Sequence, residues 1–206
     1  LLGEQRLMCG DCIKLNDVDR LMAGRKAHLI VTDPPYGIGY LPDGSLQRFG
    51  KLENDNRKGR WADFEGFSIF LDASICSLLG QCLNGACYYI CMGWEHLPDI
   101  LRTLEKHNAK AYTVLVWDRM TPRITSYPQD YIPVNEFIIY GWKKGANRKR
   151  PAKGTEQTTI WRFKTEIAKD MLHPTQKAVA LFENAILNSS EAHDLIYDPF
   201  LGSGTT

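Results

Sequence analysis

The chain's 206 residues suit one domain of ordinary size, and with 44% hydrophobic and 24% charged residues it can bury a core, which excludes a protein disordered over long stretches. Lys and Arg number 25 against 24 Asp and Glu, so the net charge of +1 names no partner and only the local distribution of charge is informative. No apolar run reaches bilayer length and no signal-peptide pattern opens the chain, so a cytoplasmic protein with its six cysteines reduced is expected.

Strand-like and helix-like segments alternate along the chain, which predicts an α/β fold. Residues 5–9 and 27–32 read as short strands. Residues 33–63 lack periodicity and are rich in Gly and polar residues, so a long loop is expected there. Phe64, Phe67, Leu71, Ile75, Leu78 and Leu79 recur at helical spacing, and Leu97, Ile100, Leu101 and Leu104 mark a second amphipathic helix. Between them, residues 86–92 form a candidate buried strand. Residues 112–117 and 134–140 read as two further strands, bridged by a loop bearing Pro and Tyr, and residues 158–163 alternate like another. Thr175 is placed to cap a helix whose apolar face is Ala178, Leu181, Phe182, Ala185 and Ile186. A short strand at 194–197 then runs into Asp198-Pro-Phe-Leu-Gly-Ser-Gly-Thr-Thr206. The chain starts at Leu1 rather than Met and stops inside this glycine-rich segment. A single domain over 1–206, incomplete at both ends, is therefore expected.

Two motifs carry chemistry. Asp33-Pro34-Pro35-Tyr36 follows an apolar strand, and ligands of open α/β sheets bind outside the carboxyl ends of strands. The consecutive prolines stiffen the backbone, so the Pro34 carbonyl can stand at a set angle beside the Asp33 carboxylate. Two such acceptors can grip both hydrogens of an amino group on a nucleobase. They would favour the tetrahedral nitrogen of a transition state over the planar ground state. Asp33 can take the proton released there, and Tyr36 offers a face for stacking a base. A rigid turn with a packed tyrosine is the plain alternative.

The second motif, Asp198 to Thr206, has neither the Gly-Lys-Ser/Thr of a P-loop nor a Gly-x-Gly-x-x-Gly. An aspartate followed by Gly202, Ser203 and Gly204 suits a ligand bearing an ammonium group and no phosphate, such as S-adenosyl-L-methionine (AdoMet), which the backbone could approach closely at the glycines. A tight strand-to-helix connection is the alternative.

Together these segments resemble the DNA amino-methyltransferases, in the permuted (beta) group whose catalytic motif precedes the cofactor loop. Asp33-Pro-Pro-Tyr36 resembles the family's catalytic motif, Asp198 to Thr206 its AdoMet loop, His173-Pro-Thr-Gln-Lys177 the segment just before that loop, and Gly10-Asp11-Cys12 the segment bordering the cofactor's adenine. The resemblance implies a doubly wound, mostly parallel sheet with an antiparallel hairpin. It also implies catalytic roles for Asp33, Pro34, Pro35 and Tyr36. Cofactor contacts are implied for Asp11, Cys12, His173, Thr175, Lys177, Asp198, Phe200, Gly202, Ser203 and Gly204. The implied reaction is methylation of the N6 of an adenine flipped out of double-stranded DNA, with cytosine N4 as the alternative base, RNA or glutamine side chains as alternative substrates, and a non-catalytic DNA-binding remnant as a further alternative. The family resemblance implies a restriction-modification setting, and the opening Leu2 to Asp11 also resembles methyltransferases that follow a ParB-like nuclease domain in one polypeptide. The strand that would carry the family's ribose-binding acid lies beyond residue 206.

Lys143, Lys144, Arg148, Lys149, Arg150 and Lys153 crowd a stretch free of acids. Residues 142–157 are therefore the candidate target-recognition loop, with these side chains as candidate phosphate contacts and a solvated surface loop as the alternative. Arg57, Lys58 and Arg60 could add contacts. Cys9 and Cys12 with Cys87 and Cys91 invite a zinc site, but Cys87 and Cys91 share one face of an apolar strand, where packing accounts for them. No metal is expected.

Overall fold

The computed structural model describes residues 5–36, 39–40, 46–47, 64–122, 130–148, 157–164, 177–202 and 204–206. In chain order these form α1 (Leu15–Met22), β1 (Ala27–Thr32), β2 (Gly39–Tyr40), β3 (Leu46–Gln47), α2 (Phe64–Gly80), β4 (Cys82–Met92), α3 (Leu97–Lys106), β5 (Ala109–Asp118), β6 (Asn135–Lys143), β7 (Ile160–Arg162), α4 (Val179–Ser189) and β8 (Ile196–Tyr197). Six strands make one sheet in the order β7-β5-β6-β4-β1-β8, while β2 and β3 pair only with each other.

Within the main sheet β6 alone is antiparallel to its neighbours; β7, β5, β4, β1 and β8 run the same way. The carboxyl ends of the parallel strands therefore line one rim, and β6 enters the sheet at that rim, with Asn135 opposite Asp118 and Phe137 opposite Met92.

Period-2 alternation divides the buried side chains between two faces. Ile30, Tyr88, Ile90, Met92 and Ile139 pack with α1, α2 and α3. Leu29, Val31, Cys87, Tyr89, Cys91, Ile138 and Tyr140 pack with Leu181, Phe182 and Ala185 of α4. Helices thus cover both faces of a mostly parallel sheet, the doubly wound arrangement expected. Because residues 29–31 of β1 and 86–92 of β4 are buried on both faces, those stretches read as unbroken apolar runs.

Two expectations about elements fail. Residues 5–9 are not a strand: only Gln5 makes a bridge, and Leu7 is 57% exposed, so the segment has neither a ladder nor a core to hold it. Thr175 is not the cap of α4, whose N-cap is Ala178 with an extended backbone and no side-chain capping bond. The approach to α4 stays extended because Lys177 and Ala178 are both buried, the lysine by its ion pairs with Asp33 and Glu136.

One close approach fixes the register of β6. A Cβ on Gly141 would stand 2.0 Å from the Lys110 carbonyl oxygen and 2.4 Å from the Tyr88 hydroxyl. Gly141 pairs with Ala111 and Tyr140 with Thr113, leaving Tyr112 as an extra residue in a bulge.

Candidate active site

Parallel pairing of β1 with β8 brings the two sequence motifs together. Ile30 lies opposite Tyr197, so both chains leave the sheet side by side, and the Thr32 hydroxyl donates to Asp198 Oδ1 at 2.6 Å. Asp198 also accepts from the Phe200 N–H at 2.9 Å and from the Thr206 hydroxyl. Burial raises its pKa, and these three donors lower it only in part. Among the described residues no lysine or arginine pairs with it, so this carboxylate suits a cationic ligand.

Gly202 (φ 57°) and Gly204 (φ 85°) adopt left-handed backbone, and no described atom lies within 4 Å of where a Cβ on Gly204 would stand. The Phe200 ring packs edge-on against Phe70 at 5.8 Å. Asp11 caps a turn, its carboxylate accepting from the Ile13 N–H at 3.3 Å and its own N–H donating to Asp17 Oδ2 at 3.0 Å. The Cys12 carbonyl accepts from the Ser77 hydroxyl at 2.7 Å, and the Cys12 side chain packs on the α1–α3 face near Tyr197, whose phenol is pushed up by burial, with Cys12 adding to the rise.

At the catalytic motif the chain builds a buried polar network. Asp33 Oδ1 accepts from the Tyr36 hydroxyl at 2.8 Å, and Asp33 Oδ2 lies 2.9 Å from Lys177 Nζ. The same ammonium lies 2.9 Å from Glu136 Oε2, which also accepts from Tyr36 at 3.2 Å. Arg119 closes the set, with NH1 3.4 Å from Glu136 Oε1 and NH2 donating to the Pro133 carbonyl at 2.7 Å. Two acids and two bases leave this cluster formally neutral, the condition under which buried charges are tolerated. Burial raises the Asp33 pKa, with Lys177 and Tyr36 opposing it. Glu136 ends below its ordinary value because Lys177 and Arg119 outweigh its burial. Lys177 is raised by the two carboxylates despite its burial. Pro34 is buried and Pro35 exposed, and Tyr36 packs against Gly93 beyond β4.

Lys177, expected from its motif to contact the cofactor, has its ion pairs with Asp33 and Glu136. Glu136 was missed by sequence reasoning. Its one signal was a carboxylate set in an apolar strand, which is costly unless the charge is paired. Among the described residues no group of His, Cys, Asp and Glu is arranged to hold a metal ion, and no helix is long and apolar enough to cross a membrane.

The basic run begins at the wrong rim. Because β6 is reversed, Lys143 ends it beside Ala109, at the start of β5, and the rise from Glu136 to Lys143 is about 23 Å. Lys143 Nζ donates to the Leu79 and Cys82 carbonyls at 2.9 and 3.0 Å, and the Arg148 guanidinium lies over the rings of Tyr112 and Trp142 at 4.6 and 4.3 Å. Of the three described members of the run, only Lys144 is left exposed. Lys143 and Arg148, expected as phosphate contacts, thus both make contacts within the fold. Lys149, Arg150 and Lys153, with His173, Thr175, Ser203, Arg57, Lys58 and Arg60, lie outside the described residues. Lys143→Met is expected to lower stability by about 1–3 kcal/mol, since two carbonyls lose a charged donor. The salt dependence of DNA binding should stay unchanged, whereas losing a phosphate contact would reduce its slope by about one. Thermal melting and fluorescence anisotropy check the two halves of this expectation.

A DNA methylase family model, N6_N4_Mtase, matches residues 27–206. Type II methyltransferase M2.MboI of Moraxella bovis is 27% identical, over 86% of this chain and 69% of its own length. M.HpaI of Haemophilus parainfluenzae is 25% identical over 98% of this chain and 65% of its length, and M.BglII of Bacillus subtilis 30% identical over 86% and 55%. Among solved structures, the M1.HpyAVI–SAM complex superposes with a TM-score of 0.70 at 21% identity, over 98% of this chain and 84% of that one. PvuII DNA methyltransferase, a cytosine-N4-specific enzyme, gives 0.67 at 14% identity, over 96% and 74%. The structural likenesses speak for the fold of AdoMet-dependent DNA methyltransferases. The family match takes in the Asp33 and Asp198 motifs together with the whole sheet that joins them, and the chain belongs to the N6/N4 DNA methylase family.

Proposed function

We propose that this chain transfers a methyl group from AdoMet to the exocyclic N6 of an adenine flipped out of double-stranded DNA. The observation that carries the reading is the Thr32–Asp198 hydrogen bond, which sets the amino-gripping motif beside a buried carboxylate that has no protein cation among the described residues. Asp198 fits the ammonium of the methionine moiety, and the open side of the Gly202–Gly204 turn fits close approach of a ligand. Asp11 and Cys12 are assigned to the cofactor's adenine on the resemblance of Gly10-Asp11-Cys12 to the family segment that borders it. When bound, AdoMet supplies a methyl group whose bond to a positively charged sulfur breaks with the electron pair left on sulfur.

The chain's own residues do the rest. Asp33 and the Pro34 carbonyl accept the two N–H bonds of the amino group and favour its tetrahedral form. Asp33 receives the proton that is acidified as the new N–C bond forms. Tyr36 presents its ring to the flipped base, a stacking contact of about 1–3 kcal/mol that offsets part of the cost of extrusion. Adenine is the base we propose because Asp33 resembles the adenine enzymes of the family, in which cytosine-N4 enzymes often carry Ser at that position.

Mass spectrometry of nucleosides from duplex DNA incubated with the chain and methyl-labelled AdoMet tests the reading. N6-methyladenine is the expected product. Label in N4-methylcytosine would replace the base, and an absence of label from every DNA tested would overturn the activity.

A further inference from the structure

We infer that Lys177 and Glu136 are a positioning pair for Asp33: Lys177 holds the carboxylate in place, and Glu136 offers a second acceptor to the donors that Asp33 gives up when a base's amino group arrives. The inference deepens the proposed methyl transfer and rests on it for its chemistry.

Both oxygens of Asp33 are already engaged, Oδ1 by the Tyr36 hydroxyl at 2.8 Å and Oδ2 by the Lys177 ammonium at 2.9 Å. Each oxygen keeps a second lone pair, so an incoming N–H can join these donors, and it gains a better-aligned acceptor if one of them moves away. Each donor has a second acceptor within reach, and it is the same atom. Glu136 Oε2 lies 3.2 Å from the Tyr36 hydroxyl and 2.9 Å from Lys177 Nζ. Tyr36 can thus turn its hydrogen bond wholly to Glu136 and vacate Oδ1 with no buried polar group left unpaired, which would otherwise cost about 1–3 kcal/mol.

Glu136 is fit to receive it because Arg119 holds its other oxygen and is itself tied to the Pro133 carbonyl. The Lys177 nitrogen also lies 5.1 Å from the centre of the Tyr36 ring, so one cation steadies both the carboxylate and the stacking face. Glu136 balances Arg119 through Oε1, yet the oxygen it turns to Lys177 and Tyr36 is the other one, Oε2. The shared acceptor is what an exchange of partners requires.

The pair also governs when Asp33 carries its charge. Facing it are Lys177 ahead of α4, Tyr36 beyond β1, Glu136 on β6, Cys91 on β4 and Asp198 beyond β8. Burial keeps the Cys91 thiol neutral, its pKa pushed well up. Burial pushes Asp33 up, Lys177 draws it down and Glu136 adds to the rise. Removing the ammonium must therefore raise the Asp33 titration, and removing the Glu136 charge must lower it.

The test follows the Asp33 carboxyl in the full chain by NMR with 13C-labelled aspartate, the resonance identified by its loss in Asp33→Asn. The midpoint is expected to rise by about one pH unit or more in Lys177→Met, to fall below wild type in Glu136→Gln, and to stay near wild type in Lys177→Arg. The acid limb of kcat/KM for DNA methylation should move with each. A merely structural role would lower melting temperatures without moving the midpoints in opposite directions, and that result overturns the inference. Should Lys177→Met fail to fold, a Glu136→Gln midpoint at or above wild type overturns it as well. A wild-type chain that methylates no DNA would sink the functional reading, while the titration would still decide whether the pair controls Asp33.

Discussion

Asp33→Ala is expected to slow methyl transfer by about a thousandfold or more, a barrier increase of about 4 kcal/mol, while AdoMet binding stays within a few-fold of wild type. The substitution removes one of the two acceptors for the amino group and the base that takes its proton. It leaves Asp198, Phe200 and the glycine turn untouched. The chain should remain folded, because Lys177 keeps its 2.9 Å contact with Glu136 and is not stranded as a lone buried charge. Single-turnover methylation and calorimetric AdoMet titration check the two halves. Asp33→Asn refines the comparison: it keeps an acceptor oxygen but no base, so it should fall between wild type and alanine. Loss of AdoMet binding in step with activity would show that Asp33 belongs to the cofactor site instead.

Gly141→Ala should be the most damaging single methyl in the sheet. The added carbon would meet a backbone carbonyl at 2.0 Å and the buried Tyr88 hydroxyl at 2.4 Å. Neither is the free end of a flexible side chain, so β5 and β6 must separate or slip. Overpacking of this kind costs about 1–3 kcal/mol and sometimes more. A loss of about 3 kcal/mol corresponds to a fall in melting temperature of roughly 6–12 °C for a domain of this size. Alanine at Gly204 meets no described atom and suffers only its left-handed backbone, a cost of about 1–2 kcal/mol. Thermal denaturation of the two variants side by side measures the difference. A Gly141→Ala variant as stable as wild type would show that the strands yield there.

Much of the fold could be read from the sequence because its signals are local. The apolar run at 27–32 and the helical spacing from Phe64 to Leu79 each report the surroundings of their own element. Asp33 and Asp198 could be found for the same reason, since each follows a strand and is marked by prolines or glycines. The failures concern partners. Residues 5–9 have the length of a short strand but find no strand to pair with along it. Thr175 is a good cap in isolation, yet the chain stays extended through Lys177, and no local rule could foresee that Asp33, 144 positions earlier, claims the lysine. Glu136 was hidden inside a segment read correctly as a strand. What was missing was the direction of that strand, which decides which of its ends meets the site.

Direction also carries Lys143, where the basic run begins, away from the reaction centre. A charge cluster in sequence says nothing about the rim from which it departs, and here Lys143 caps the end of α2 and Arg148 covers Tyr112 and Trp142.

The bulge at Tyr112 and the tight fit at Gly141 act as a ratchet for β6, five positions after Glu136. Side chains alternate between faces, so Glu136, Ile138 and Tyr140 all turn toward α4, the face that Lys177 approaches. Gaining or losing one residue between Glu136 and the ratchet would swing the carboxylate to the opposite face of the sheet and turn the apolar side chains with it. Over descent, that stretch can lengthen or shorten only in steps of two.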